Sequence, residues 1–206
     1  MIELYDFERS GNCYKVRLML SLLGLEHELV PVALERGEHK SAEFLKLNPL
    51  GQVPVLRDGD TVIRDAQAIL VYLARRYGGE QWLPTDAEGM SKVVQWLSTT
   101  ANEIQHGPAA ARLHFRFNAP INLEQAQNKA HQILQILDNQ LQERNWLECD
   151  RATIADVACF PYIALAPEGK ISLESYPRVM SWIERIQQLP GYIAMPGLQE
   201  FQSVSP

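Results

Sequence analysis

Apolar and polar residues alternate from Met1 to Asp6, the period of a half-buried strand. From Tyr14 to Leu23 the pattern turns helical, with Val16, Leu18, Met19, Leu20, Leu22 and Leu23 apolar. Between them, Glu8 to Asn12 contains Gly and Asn and reads as a loop. Gly24 stands where a helix end favours glycine. Glu28 to Val32 reads as a second strand, and the β-α-β unit is expected to be parallel with a right-handed crossover. A loop with one helical turn follows. Val53 to Arg57 and Thr61 to Ile63 flank Asp58-Gly59-Asp60, a hairpin signal. Asp65 to Tyr77, apolar at Ile69, Leu70 and Leu73, reads as a helix.

Gly78-Gly79 ends this unit, and Gly78 to Asp86 reads as a linker in which Pro84 resists helix. No strand pattern follows it. Glu88 to about Phe115 reads as helical, kinked at Gly107-Pro108. Leu123 to Glu143 keeps a helical period through Ala126, Ala130, Ile133, Leu134, Leu137 and Leu141. Pro177 to Leu189 does the same through Val179, Trp182, Ile183 and Ile186. Thr153 and Asp156 stand three apart before an apolar run, a capping box with Asp in place of Glu or Gln. The hydroxyl is expected to bond the Asp156 N–H, and the carboxylate the Thr153 N–H. The helix it starts is apolar almost all round and reads as a core helix. The order β-α-β-β-β-α is a thioredoxin-like α/β pattern. It predicts one domain over residues 1–78 and an all-α domain over 86–206.

Composition changes this picture little. A chain of 206 residues can form one large domain or two small ones with a sizeable core. Its 46% hydrophobic and 21% charged residues are ordinary for a globular protein. With 19 Lys and Arg against 25 Asp and Glu, the net charge is -6, which argues against a nucleic-acid partner. The three cysteines, Cys13, Cys149 and Cys159, are odd in number and scattered. That fits a reducing, cytoplasmic setting better than a disulfide framework, and no Cys-x-x-Cys pair marks a metal site. No signal-peptide pattern opens the chain, and no apolar run is long enough to cross a bilayer, so no membrane association is expected.

Candidate chemistry lies in a few stretches. In Asn48-Pro49-Leu50-Gly51-Gln52-Val53-Pro54-Val55-Leu56, a proline sits inside a short apolar run. Proline cannot donate to a sheet ladder, so it belongs at a strand's start, an edge or a bulge. Val53-Pro54 is expected to be cis, with the Val53 N–H and C=O turned outward to pair with an extended peptide. A tight turn before an edge strand would account for the same residues. In Ser10-Gly11-Asn12-Cys13-Tyr14-Lys15, Ser10 is either a loop serine near a helix N-terminus or a donor to a ligand thiolate. A helix N-terminus with a donor nearby lowers a thiol's pKa from about 8.5. Cys13 reads as a small buried residue, with redox chemistry as the rival. Asp65-Ala66 begins a helix, where a free N–H favours an anion and a carboxylate can pair with an ammonium.

In order and spacing, these stretches resemble the glutathione transferase family nearly end to end. The match includes Gly37-Glu38-His39-Lys40-Ser41, Ile63 to Leu73 and the Thr153-Ile154-Ala155-Asp156 cap. The likeness is to serine-type bacterial members similar to the phi, theta and beta classes. It implies a thioredoxin-like domain followed by an all-α domain that carries a second-substrate pocket and the contacts of a homodimer. It also implies a cytoplasmic detoxification enzyme that binds glutathione as cosubstrate, with no other cofactor and no metal. The glutathione thiolate would attack an electrophilic small molecule. By this resemblance Ser10 carries the activating hydroxyl and Asn12 assists it. Lys40, with His39, meets the glycine carboxylate, while Gln52 and Val53 meet the tripeptide backbone. Asp65 and Ala66 meet the γ-glutamyl end, although family members usually have serine where Ala66 stands. Glu103 reaches the glutathione of the other subunit. Gln105, His106 and Arg112, with Phe115 and Phe117, are implied in the second-substrate pocket. A disulfide reductase, dehalogenase or isomerase on the same fold remains an alternative, as does a non-catalytic interaction protein.

Overall fold

The computed structural model describes residues 1–198. It opens with a four-stranded sheet: β1 Ile2–Asp6, β2 His27–Pro31, β3 Val55–Asp58 and β4 Thr61–Arg64. The strand order is β2-β1-β3-β4. β1 runs parallel to β2, with Tyr5 beside Val30, and antiparallel to β3, with Leu4 beside Leu56. β3 and β4 form the expected hairpin, turned at Gly59 with φ 58°. Ile2, Leu4 and Asp6 are buried while Glu3 and Tyr5 are half-buried, the alternation read from the sequence.

Helix α1, Gly11–Leu22, begins earlier than its apolar pattern. Gly11 and Asn12 are weak helix formers, so the stretch read as loop. Ser10 overrides that preference by capping the helix: its Oγ accepts from the Cys13 N–H at 3.2 Å. The loop after β2 contains two short turns and α2, Ala42–Leu47, more helix than the one turn expected. Ser41 caps α2 through the Phe44 N–H at 3.2 Å. Helix α3, Ala66–Leu73, continues through wider turns to Gly78.

No strand occurs among the described residues after β4. Helix α4, Ala87–Thr99, loosens into wider turns over Thr100–Ala109 and resumes as α5, Ala110–Phe117. The kink falls at Gly107, with φ -100° and ψ -105°, ahead of Pro108. A Cβ at Gly107 would lie 3.0 Å from the Ala130 backbone, so glycine also admits the close approach of α6, Leu123–Gln140.

Helix α7, Ile154–Ala164, is buried on every side through Ile163. It packs against α1, α3, α4 and α8, Pro177–Gln187. A single apolar cluster runs from Leu4, Leu18 and Leu70 to Leu134, Phe160 and Trp182, so the sheet unit and the helices share one core. The capping box is present. The Asp156 carboxylate accepts from the Thr153 N–H at 2.9 Å, while the Thr153 hydroxyl accepts from the Ala155 N–H at 3.2 Å. Asp156 does more than cap. It also accepts from the Leu147 N–H at 3.0 Å and from Trp182 Nε1 at 2.9 Å. Burial pushes its carboxyl pKa up, and these hydrogen bonds oppose that rise.

Thr153→Ala is expected to cost about 1 kcal/mol of stability, the loss of one cap. Asp156→Ala leaves four buried donors, the Thr153 hydroxyl among them, without this acceptor, at about 1–3 kcal/mol each, and is expected to cost clearly more. Equilibrium unfolding in guanidinium chloride measures both, and equal losses would contradict a network centred on the carboxylate.

Candidate active site

Two cavities are lined in part by residues at the start of α1. A small polar one, of about 60 Å³, is lined by Asn12, Gln52, Val53, Pro54, Asp65 and Ala66. Asn48, Leu50 and Arg64 complete its wall. A mostly apolar one, of about 350 Å³, is lined by Phe7, Arg9, Ser10, Leu34, Arg112 and Phe117. Glu35, Leu113 and Tyr162 complete that wall. Ser10 thus faces the apolar cavity, and Asn12, the second residue of the helix, faces the polar one.

The Ser10 backbone is extended, with φ -81° and ψ 121°, and its N–H donates to Phe7 O at 2.8 Å. Its Oγ is an acceptor for the helix cap, which leaves the hydroxyl proton to donate elsewhere. The unpaired N–H groups of the first turn of α1 add positive potential at the same point. Next in sequence, Gly11 has no side chain because the Tyr162 ring of α7 lies where one would be: a Cβ there would stand 2.6 Å from that ring. Burial pushes the Tyr162 phenol pKa up to about 12. Lys15, wholly buried below, donates to Asn12 Oδ1 at 2.8 Å and lies 5.0 Å from the Tyr162 ring centre.

The other wall of the polar cavity comes from the turn before β3 and the start of α3. Asn48 is buried and holds that turn, donating to Gln52 O at 2.8 Å and accepting from the Leu50 N–H at 3.0 Å. Val53-Pro54 is cis, as expected. Asp65 adopts φ 75° and ψ 128°, an uncommon conformation for a residue with a side chain. Its carboxylate caps α3 through the Ala68 N–H at 3.0 Å and stays exposed. Two helix N-termini, those of α1 and α3, therefore converge on one polar cavity.

Arg112 is buried in the wall of the apolar cavity. It pairs with Glu168 and donates to Arg9 O at 3.2 Å. The Arg9 guanidinium stacks over Phe117, 4.6 Å from the ring centre.

The structure brings Ser10, Asn12, Gln52, Val53, Asp65, Ala66, Arg112 and Phe117 to these two cavities. Other residues expected at the site lie elsewhere. Gln105 and His106 line neither cavity; they precede the bend at Gly107, and the His106 ring bonds Asn102 O at 2.8 Å. Phe115 is also outside the wall, which takes Leu113 and Phe117 instead. Lys40 spans the neighbouring turn, donating to Leu50 O at 3.2 Å and Gly51 O at 3.1 Å. His39 sits beside it, half-buried. Glu103 is exposed and accepts from Asn102 Nδ2 at 2.9 Å. Tyr162 was not foreseen; it comes from far along the chain, and no local pattern marks it. Phe7 and Arg9 had a signal, their adjacency to Ser10. Cys13 and Cys159 are buried, and desolvation pushes each thiol pKa up to about 12.

A family model for the glutathione S-transferase N-terminal domain matches residues 4–81, and one for its C-terminal domain matches residues 108–190. The chain belongs to the glutathione S-transferase family. It is 32% identical to a zeta-class glutathione S-transferase of Euphorbia esula, over 100% of this chain and 94% of that protein. It is 29% identical to the disulfide-bond oxidoreductase YfcG of Escherichia coli, over 92% of each. Among solved structures it is similar to a possible glutathione S-transferase from Rhodopseudomonas palustris. That likeness has a TM-score of 0.88 and 31% identity, covering 94% of this chain and 97% of that one. The sequence-based reading of family and fold is borne out. The protein has glutathione transferase function, with glutathione as substrate or ligand. Among the described residues no helix of the transferase is long and apolar enough to cross a membrane.

Burial makes a prediction about its thiols. At about pH 7.5, iodoacetamide is expected to modify the half-exposed Cys149 first in the native protein, and all three cysteines only after unfolding. Intact mass gives the count; rapid native modification of Cys13 would contradict its buried, protonated state.

Proposed function

We propose that the protein transfers the glutathionyl group to small electrophiles, with Ser10 stabilising the glutathione thiolate. The observation that carries this reading is the Ser10 hydroxyl, whose proton the helix cap does not use, in the wall of the apolar cavity and two residues from Asn12 in the wall of the polar one. Glutathione would lie in the polar cavity of the domain formed by residues 1–78. The Val53 backbone and Gln52 would hold its middle, and the Asp65 carboxylate its γ-glutamyl ammonium. The free N–H at Ala66 would meet the γ-glutamyl carboxylate without the help of a serine hydroxyl. Lys40 and His39 stand on the side where the glycine carboxylate would end. Thiolate attack on an activated aryl chloride forms a carbon–sulfur bond and expels chloride, and the thiol proton leaves to solvent. The apolar cavity, with Phe7 and Phe117 in its wall, suits an aromatic or alkyl electrophile. The helices from residue 86 onward would supply the rest of that pocket and the contacts of a homodimer. A bacterial, cytoplasmic, detoxifying role fits this chemistry.

The likeness to YfcG favours a second reading, the reduction of disulfides. Neither Cys13 nor Cys159 is placed to act as the thiol, so this chemistry would also run through glutathione. Both readings need the same activated thiolate.

Conjugation of glutathione to 1-chloro-2,4-dinitrobenzene tests the proposal. Ser10→Ala is expected to lower kcat about 10²–10³-fold, the scale of one lost donor to a developing anion. Cys13→Ala should leave kcat near that of the parent, and the reverse ranking would make Cys13 the reacting group. Asp65→Ala should raise the glutathione Kd about tenfold while sparing kcat at saturation, which is the loss of one charge-assisted contact.

Assembly offers a separate check. If Glu103 reaches the ammonium of glutathione on a second subunit, glutathione should tighten dimerisation and Glu103→Ala should weaken that effect. Sedimentation with and without glutathione measures it; a monomer that binds glutathione normally would show each site complete in one chain.

A further inference from the structure

Lysine is almost never fully buried without a charged partner, yet Lys15 in α1 has no exposed surface. The contacts around its ammonium are a hydrogen bond to Asn12 Oδ1 at 2.8 Å and the face of the Tyr162 ring at 5.0 Å. The titratable groups that act on it are the Cys159 thiol on α7, kept protonated by its own burial, and the Asp65 carboxylate ahead of α3. Burial pulls its pKa down to about 8, and those two groups oppose the fall.

The hydrogen bond determines which way the Asn12 amide turns. An ammonium can only donate, so Asn12 must present its oxygen to Lys15. Its two N–H donors then point away from Lys15. Asn12 also lines the polar cavity with Gln52, Val53 and Asp65. We propose that Lys15 is a positioning residue for the glutathione thiolate: it orients the Asn12 amide so that its N–H groups face the sulfur, and its buried charge favours the anion from behind. The inference rests on the glutathione reading above.

The arrangement is costly for the fold. An unfolded lysine keeps its proton to about pH 10.4, whereas Lys15 in the folded chain loses it near 8. The unfolded state therefore binds more protons between those values, and burying the ammonium lowers stability at neutral pH. A methionine of similar shape would fill the same space without that cost. A lysine with only a packing role should thus be improved upon by methionine. One that supports a thiolate should gain stability in the same way but lose activity near neutral pH.

Two experiments separate these outcomes. The first compares wild type, Lys15→Met and Lys15→Arg at saturating glutathione, reading Tm and the pH dependence of kcat with 1-chloro-2,4-dinitrobenzene. Lys15→Met is expected to match or exceed the wild-type Tm while its acid limb moves up by about one pH unit, a tenfold loss on that limb. Lys15→Arg, which keeps the charge and a donor, is expected to restore the limb toward wild type. A folded Lys15→Met with an unmoved pH profile would overturn the proposal. The second needs no variant. By linkage, a thiolate that Lys15 favours must in turn favour the charged ammonium. The Lys15 pKa, followed by nuclear magnetic resonance of labelled lysine, should rise with glutathione and rise less with S-methylglutathione, which has no ionisable thiol. Equal shifts with both ligands would overturn it. Calorimetry and turnover of the wild type come first: failure of both would remove the glutathione reading itself, and success leaves the Lys15 results to decide this inference alone.

Discussion

The contact of α7 with the first turn of α1 is the constraint on which the rest depends. It requires a glycine at position 11, because the Tyr162 ring occupies the space of any side chain there. The ring in turn roofs Lys15, and Lys15 holds Asn12. The apolar cavity would not keep its shape if α7 moved, because Tyr162 is in its wall. The chain fixes α7 by burying it on all sides and by clamping its start. The Asp156 carboxylate ties Thr153, Leu147 and Trp182 together at that end. A buried carboxylate with several donors is destabilising to break, so it holds the helix in one place.

The electrostatics of the site run against those of the chain. The whole protein has a net charge of -6, which would repel an anionic tripeptide at long range. Local dipoles and charges answer this at short range. The starts of α1 and α3 both turn peptide N–H groups toward the polar cavity. Lys15 stands beneath it, and Arg9 and Arg112 stand in the wall of its apolar neighbour. The exposed Asp65 is the negative exception, and it sits where an ammonium rather than a carboxylate would be welcome. A thiol held between these elements meets donors and positive potential from several directions.

Much of this could be read from the sequence, because the signals are local. Alternation marked β1, Asp58-Gly59-Asp60 marked the hairpin, Gly107-Pro108 marked the kink, and Thr153 with Asp156 marked the start of α7. The family was legible through the order and spacing of residue motifs, among them Gly37-Glu38-His39-Lys40-Ser41 and Ile63 to Leu73. What escaped was long-range or competitive. Gly11 and Asn12 looked like loop residues because their helix propensity is poor, and the Ser10 cap outweighed that. Gln105 and His106 were implied by the family resemblance alone; both precede the kink at Gly107, and the wall takes Arg112, Leu113 and Phe117 from the helix after it. Tyr162 and Lys15 carried no local signal of a place at the site. Their part in the site appears only when α7 and α1 are side by side.

The account reduces to one claim: the junction of α1 with α7 and α3 makes the sulfur of bound glutathione an anion near neutral pH. Ultraviolet thiolate absorbance, titrated against pH with the wild-type protein saturated by glutathione, measures this directly. The account predicts a midpoint at least about one unit below the value of about 8.5 for a free cysteine thiol. A midpoint unchanged from free glutathione, with binding shown independently in the same sample, would contradict it.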